Sequence, residues 1–136
     1  MPGDSVALIE SAFEAWNRGD IARFADHTAE DVVWVEVSGR PEGPGGERHG
    51  RGRLRRSLEE LFEAWESYSL ELEQVEPAGD RVLALVRERA RGRTSGVEVD
   101  SRWGYLITVK DGQIARVEAY RDPEQAVEAA QSRGGA

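Results

Sequence analysis

The segment Val32-Val33-Trp34-Val35-Glu36-Val37 is rich in β-branched and aromatic residues, and it predicts a β-strand. Side chains alternate between the two faces of a strand, so Trp34 and Glu36 share one face while the valines at 33, 35 and 37 share the other. If other residues cover the Trp34 face, desolvation would raise the pKa of Glu36 toward the range of a general base. If that face is open to water, Glu36 is a solvated strand residue.

Two helices are predicted before this strand. The first begins near Asp4 or Ser5 and carries apolar residues at helical spacing, namely Val6, Ile9, Phe13 and Trp16. Gly19 favours the left-handed conformation that ends a helix, and Asp20 is a favourable N-cap for a second, shorter helix.

Residues 38–52 follow the strand and contain two prolines and six glycines, which predicts a flexible loop. The basic residues Arg48, His49, Arg51 and Arg53 also lie in or beside this loop. Their spacing matches neither a Walker loop nor a dinucleotide-binding motif, so a connector or lid is favoured over an anion site.

The rest of the chain predicts one helix, four strands and a last helix. An apolar stripe favours a helix over about 54–66, and alternating polar and apolar residues favour strands in the segments from 68 to 120. Lys110-Asp111-Gly112-Gln113 is typical of a two-residue hairpin turn, and Asp122-Pro123 opens the last helix. Residues 132–136 are expected to be a disordered tail.

This order of elements indicates a single α+β domain over residues 1–136. The short turns imply antiparallel neighbours, so we expect a curved antiparallel sheet that forms a cone, with three N-terminal helices and a short C-terminal helix, as in a cystatin-like α+β barrel. A pocket between the helices and the sheet is expected.

Composition excludes several classes of chemistry. The 136 residues contain no cysteine and one lysine, Lys110, so thiolate catalysis, sulfur-ligated zinc and Schiff-base chemistry are not expected. The two histidines, His27 and His49, do not suggest a metal site, and no cofactor is expected. The net charge of −8 argues against nucleic acid, and no membrane span or signal peptide is apparent, so a cytoplasmic protein is predicted.

Four short segments, in this order and spacing, resemble the nuclear-transport-factor-2-like superfamily in its SnoaL-like and ketosteroid-isomerase-like branch. They are Ala15-Trp16-Asn17-Arg18-Gly19-Asp20, Ala29-Glu30-Asp31-Val32-Val33-Trp34, Lys110-Asp111-Gly112-Gln113-Ile114 and Glu118-Ala119-Tyr120-Arg121-Asp122. The resemblance covers about the whole chain. It implies the cone fold and a homodimer through the outer face of the sheet, but the superfamily includes isomerases, cyclases, epoxide hydrolases, dehydratases and non-catalytic binders.

The resemblance places three catalytic positions of the isomerases on this sequence. The general base falls on Glu36, and the tyrosine that stabilises the oxyanion falls on Ala12, which cannot donate a hydrogen bond. The protonated aspartic acid falls at Gly104 or Tyr105, of which only Tyr105 could replace it. A true ketosteroid isomerase is therefore not expected, because losing one oxyanion donor costs about 3 kcal/mol.

Two functions remain open at this point. The first is a cofactor-independent isomerase, cyclase or hydratase that acts on a small hydrophobic organic molecule, with Glu36 as base and Tyr105 as proton donor. The second is a non-catalytic domain for ligand binding or dimerisation. In both cases the predicted ligand-binding residues are Phe13, Trp16, Trp34, Phe62, Trp103, Glu118 and Tyr120.

Overall fold

Two α-helices lead into the sheet of the computed structural model, which describes residues 2–37 and 46–134 and the side chains of 4–37 and 46–131. Its helices are α1 (Pro2–Asn17), α2 (Ile21–Asp26), α3 (Arg51–Ala64) and α4 (Pro123–Gly134). Its strands are β1 (Thr28–Glu36), β2 (Gly46–His49), β3 (Trp65–Ala78), β4 (Arg81–Gly92), β5 (Glu98–Lys110) and β6 (Gln113–Tyr120).

The six strands form one curved sheet in the order β2-β1-β6-β5-β4-β3, so the α+β prediction is confirmed. Among the described residues the sheet is not closed into a barrel, because β2 and β3 are its two edges. The expectation of an entirely antiparallel sheet is wrong for one pair: β1 runs parallel to β6, with Trp34 opposite Val117 and Glu36 opposite Ala119. Short turns report only on strands that are consecutive in the chain, and these two are not.

Within the predicted 38–52 loop, the described residues from 46 onward include regular secondary structure. Residues 46–49 form β2, which pairs antiparallel with β1, and α3 begins at Arg51 rather than Leu54. An edge strand pairs through its backbone, so the glycine-rich composition of this segment concealed it. Residues 38–45 lie outside the described residues. At the other end, α4 continues to Gly134, so the backbone of 132–134 is helical where a disordered tail was expected, and 135–136 are not described.

Local sequence signals set the connections as expected. Gly19 has φ +73°, and the Asp20 side chain accepts a hydrogen bond from the backbone N–H of Arg23 at the start of α2. In the β5–β6 hairpin, Asp111 and Gly112 both have positive φ, which a two-residue turn of this kind requires. The Asn17 side chain bonds both backbone groups of Leu70, which ties the end of α1 to β3.

Each face of the sheet is covered by different helices. Buried residues of α1, α2 and α3 pack on the concave face with Val82, Ala84 and Val86 of β4 in the main core. On the outer face, a second cluster joins Leu83 and Leu106 to α4. No helix among the described residues is both long and apolar enough to span a membrane.

Candidate functional site

A cavity of about 360 Å³ lies between the concave face of the sheet and helices α1 and α3. Its aromatic lining residues are Trp16, Trp34, Tyr68, Trp103 and Tyr105, and its charged and polar ones are Glu36, Arg48, Ser57 and Glu88. The remaining lining residues are small or aliphatic: Gly46, Leu54, Leu58, Leu61 and Ala119. The volume lies within the range of small-molecule sites in proteins.

Glu36 faces this cavity together with Trp34, as strand alternation predicts. The Glu36 side chain is 19% exposed, and its Oε1 atom lies 3.4 Å from Nη1 of Arg48 on the neighbouring strand. Arg48 also donates from Nε to the Ser57 hydroxyl of α3, at 3.1 Å. Gly46, directly opposite Glu36 in the sheet, leaves room for the carboxyl group, because a Cβ there would lie 3.2 Å from the Glu36 Cδ.

Tyr105 of β5 also faces the cavity and is 5% exposed. Burial raises the pKa of its hydroxyl far above the ordinary tyrosine value, and the negative charges of Glu88 and Glu36 raise it further. The phenol therefore stays protonated at neutral pH and can only donate or accept hydrogen bonds. Its ring packs edge-on against Trp34, with ring centroids 5.7 Å apart.

Glu88 of β4 is a cavity residue that the sequence interpretation missed. Its Oε1 accepts hydrogen bonds from the Ser101 hydroxyl at 2.9 Å and from Nε1 of Trp103 at 3.2 Å. The Tyr68 hydroxyl donates to the other carboxylate oxygen. A signal was present: the alternation that places Val82, Ala84 and Val86 on one face, when continued by two residues, places Glu88 on the same face.

Four of the predicted ligand-binding residues lie elsewhere. Phe13 and Phe62 belong to the core beside the cavity, where Phe13 packs on Tyr105 and Phe62 on Trp16. Glu118 and Tyr120 point to the outer face of the sheet, so their prediction as residues of this cavity is corrected. Ala119 lines the cavity, and its two neighbours in β6 must therefore point away from it.

Glu118 instead forms a buried ion-pair network on the outer face. Its side chain is 6% exposed, with Oε1 lying 3.7 Å from Nη1 of Arg81 and Oε2 lying 3.4 Å from Nε of Arg116. The side chains of both arginines lie on the outer face of the sheet. Glu118 therefore links β4 and β6 on that face through ion pairs. Trp16, Trp34 and Trp103, which were predicted to bind a ligand, all line the cavity.

The four basic residues around positions 48–53 do not converge on one point. Arg48 points to Glu36, His49 contacts Glu47 at 2.6 Å, and the guanidinium of Arg51 donates to the backbone carbonyl of Thr28. Arg53 is exposed on α3. Nor do the described histidine and acidic residues include a group of three close enough to hold a metal ion.

A comparison against protein families gives the family of this chain. Residues 9–117 match the family model described as a SnoaL-like domain. The chain belongs to the SnoaL-like domain family. The superfamily resemblance expected from its sequence is thereby confirmed, with the nuclear-transport-factor-2-like and ketosteroid-isomerase-like fold. No functionally curated protein matches this SnoaL-like chain in sequence.

Solved structures share the fold of this SnoaL-like domain at low sequence identity. A protein described as a candidate polyketide cyclase from Xanthomonas campestris is 23% identical, with a TM-score of 0.73 and coverage of 95% of this chain and 98% of that one. A Burkholderia pseudomallei NTF2-like protein of unknown function is 19% identical, with a TM-score of 0.76 and coverage of 92% and 95%. An LEH-like epoxide hydrolase from M. tuberculosis is 16% identical, with a TM-score of 0.75 and coverage of 98% and 92%.

The structure also distinguishes Gly104 from Tyr105, the two residues at which the resemblance could place the aspartic acid of the isomerases. Gly104 faces outward against α4, and Tyr105 faces the cavity. Ala12 is fully buried in α1 and has no polar side-chain atom. Of the three positions that the resemblance assigns, Glu36 and Tyr105 therefore lie at one cavity, while Ala12 has no hydrogen-bond donor in its side chain.

Proposed function

We propose that this SnoaL-like protein is a cofactor-independent enzyme of the isomerase, cyclase or hydratase type, acting on a small, mostly apolar organic molecule. The observation that carries the proposal is that the Glu36 carboxylate and the Tyr105 hydroxyl line one largely aromatic cavity. General acid–base catalysis needs a base and a proton donor within reach of the same bound molecule.

Glu36 is the proposed base for a carbon acid. Its carboxylate would take a proton from the carbon next to a carbonyl group, and the electron pair of that C–H bond would move to the carbonyl oxygen. Tyr105, which burial keeps protonated, would donate a hydrogen bond to the resulting oxyanion. The proton on Glu36 would then return to a carbon of the same molecule, so no co-reactant is needed.

The alternative is a domain that binds an apolar ligand without turning it over. Ala12 favours this alternative. It occupies the position where the isomerases have a tyrosine, so an oxyanion in the cavity would lack that second hydrogen-bond donor. The polyketide cyclase and epoxide hydrolase descriptions of structural neighbours are compatible with an enzyme, but these proteins share only the fold with this chain.

Deuterium exchange tests the proposal without knowledge of the natural substrate. Cyclohexanone and 2-tetralone are incubated in D₂O, and loss of the proton signals next to the carbonyl is followed by NMR. We expect the wild-type protein to accelerate exchange, Glu36→Gln to lower the rate by about 100-fold or more, and Tyr105→Phe to lower it by about 10-fold to 100-fold.

Glu47→Gln is the matched control, because Glu47 lies on the adjacent strand, outside the cavity lining, and the charge change is identical. It should exchange like the wild type. Exchange no faster than in buffer, with either ketone quenching the fluorescence of the cavity tryptophans, would favour the binding alternative. Equal exchange rates in Glu36→Gln and Glu47→Gln would reject Glu36 as the base.

A further inference from the structure

Among the described residues that line the cavity, the charged groups do not cancel. Glu36 has an arginine partner in Arg48, 3.4 Å away. Glu88 accepts hydrogen bonds only from neutral groups, and among the residues that the structure describes no arginine, lysine or histidine forms an ion pair with it. The described lining thus contains two carboxylates and one guanidinium, a net charge of −1. Charged groups in partly buried sites are usually compensated by a partner of opposite sign.

The walls around Glu88 are aromatic. Tyr68 and Trp103 both line the cavity. The Tyr68 hydroxyl and the Trp103 indole N–H each donate a hydrogen bond to the Glu88 carboxylate, which holds the two rings in place. The other aromatic lining residues are Trp16 of α1, Trp34 of β1 and Tyr105 of β5. Aromatic rings attract cations through the negative potential of their faces, most strongly where water is excluded.

The negative potential of the carboxylates extends across the cavity. Both Glu88 and Glu36 contribute to the raised pKa of Tyr105, which lies 5% exposed between them in the lining. The ring of Trp103 is 6.5 Å from that of Tyr105, so the same potential acts on the space that these rings enclose. An added positive charge in that space would be stabilised by both the carboxylate and the rings.

We infer that the ligand of this cavity carries a positively charged nitrogen, as a protonated amine or a quaternary ammonium group, with Glu88 as its counter-ion. The inference rests on the proposed function only in that the cavity is the ligand site. It narrows the substrate class from an apolar molecule to an apolar organic cation. Glu36 keeps its proposed role as the base, and Glu88 rather than Glu36 is assigned as the counter-ion because Glu36 already pairs with Arg48.

Choline and 3,3-dimethylbutan-1-ol test the inference directly, because they have the same shape and differ in a charged nitrogen against a neutral carbon. Binding is followed through the ¹⁵N indole signals of the tryptophans, of which Trp103 reports on the bond to Glu88. We expect choline to bind the wild-type protein about tenfold more tightly than the alcohol. In Glu88→Gln this ratio should fall to about one.

Two control variants distinguish an effect of the charge at position 88 from an effect of misfolding. Glu73→Gln makes the same charge change on the outer face, where Glu73 pairs with Arg102, and should keep the tenfold preference. Glu88→Asp keeps the charge at this position, so the choline preference should remain there, and its loss in a folded Glu88→Asp would contradict the counter-ion role. Circular dichroism checks the folding of each variant.

Equal affinity for the two probes in the wild type would overturn the inference, as would a choline preference that survives unchanged in a folded Glu88→Gln. Absence of any indole shift with choline up to about 50 mM would also overturn it, since even weak binding is saturated there. The outcome of the deuterium exchange test does not depend on any of these results. Exchange without a cation preference would leave the proposed function standing, and a cation preference without exchange would leave a binding protein.

Discussion

At the scale of single residues, the cavity depends on how strand alternation continues past the segments that look apolar. The pattern in β1 was sufficient to place Glu36 beside Trp34, because the two residues are close in the chain. Glu88 follows the same rule in β4, but the polar run Arg87-Glu88-Arg89 resembles a solvated strand end in sequence. Only the donors Ser101, Trp103 and Tyr68, which come from other strands, distinguish Glu88 from its neighbours.

Tyr105 makes a pH-dependent contribution to stability. Its pKa is raised in the folded protein, whereas the unfolded chain titrates near the ordinary value of about 10. Below that pH both states are protonated and the contribution is fully present. As the pH rises above about 10, the unfolded state releases the proton first, so stability is lost, by up to about 1.4 kcal/mol per pH unit.

Tyr105→Phe removes this titration, and the free energy of unfolding of the variant should therefore fall less steeply above pH 10 than that of the wild type. Urea unfolding at a series of pH values measures both curves. Parallel curves above pH 10 would show that Tyr105 ionises in the folded protein as easily as in the unfolded chain.

At the scale of elements, α4 packs closely against Gly104 on the outer face of the sheet. A Cβ at Gly104 would lie 2.5 Å from the Cβ of Ala126 and 3.0 Å from the Cα of Pro123, both in α4. The first distance is shorter than real Cβ atoms approach another atom, and the second is an unusually tight contact with backbone. The helix can therefore pack on Leu83 and Leu106 only because position 104 has no side chain.

Gly104→Ala should displace α4 and lower the free energy of unfolding by about 1 to 3 kcal/mol, the usual cost of overpacking. Gly52→Ala is the control, since nothing lies within 4 Å of a Cβ there and alanine is the better helix former in α3. It should be neutral or stabilising in the same urea titration. A Gly104→Ala protein as stable as the wild type would show that α4 moves on the sheet without cost.

At the scale of the whole molecule, the predicted homodimer concerns the outer face. Alternation in β4 suggested that this face is partly apolar, and the structure shows that α4 of the same protomer covers Leu83 and Leu106. The part that α4 leaves open carries ion pairs, including Arg87 with Asp100 and Arg102 with Glu73. A dimer through the outer face would therefore have to pack charged surface as well as α4.

The homodimer stays a prediction with a direct measurement. Light scattering at micromolar concentration should give twice the 15.1 kDa mass of the chain. Because each protomer carries a net charge of −8 and salt screens the repulsion between like charges, the dimer should persist as salt is raised from 0.1 M to about 1 M. A monomeric mass at low salt would contradict the prediction.

The sequence by itself determined the α+β order, the glycine and aspartate signals at the ends of α1 and α2, the β5–β6 hairpin, and the shared face of Trp34 and Glu36. All of these depend on residues that are close in the chain, where backbone geometry and alternation act directly. The tertiary structure alone decided which face of β5 and β6 lines the cavity and which face lies on the α4 side of the sheet. It directs Tyr105 into the cavity and Glu118 to the opposite face beside Arg81 and Arg116, because alternation relates neighbouring residues to each other but not to a distant helix. The edge strand β2 and the donors around Glu88 depend on contacts between distant segments for the same reason.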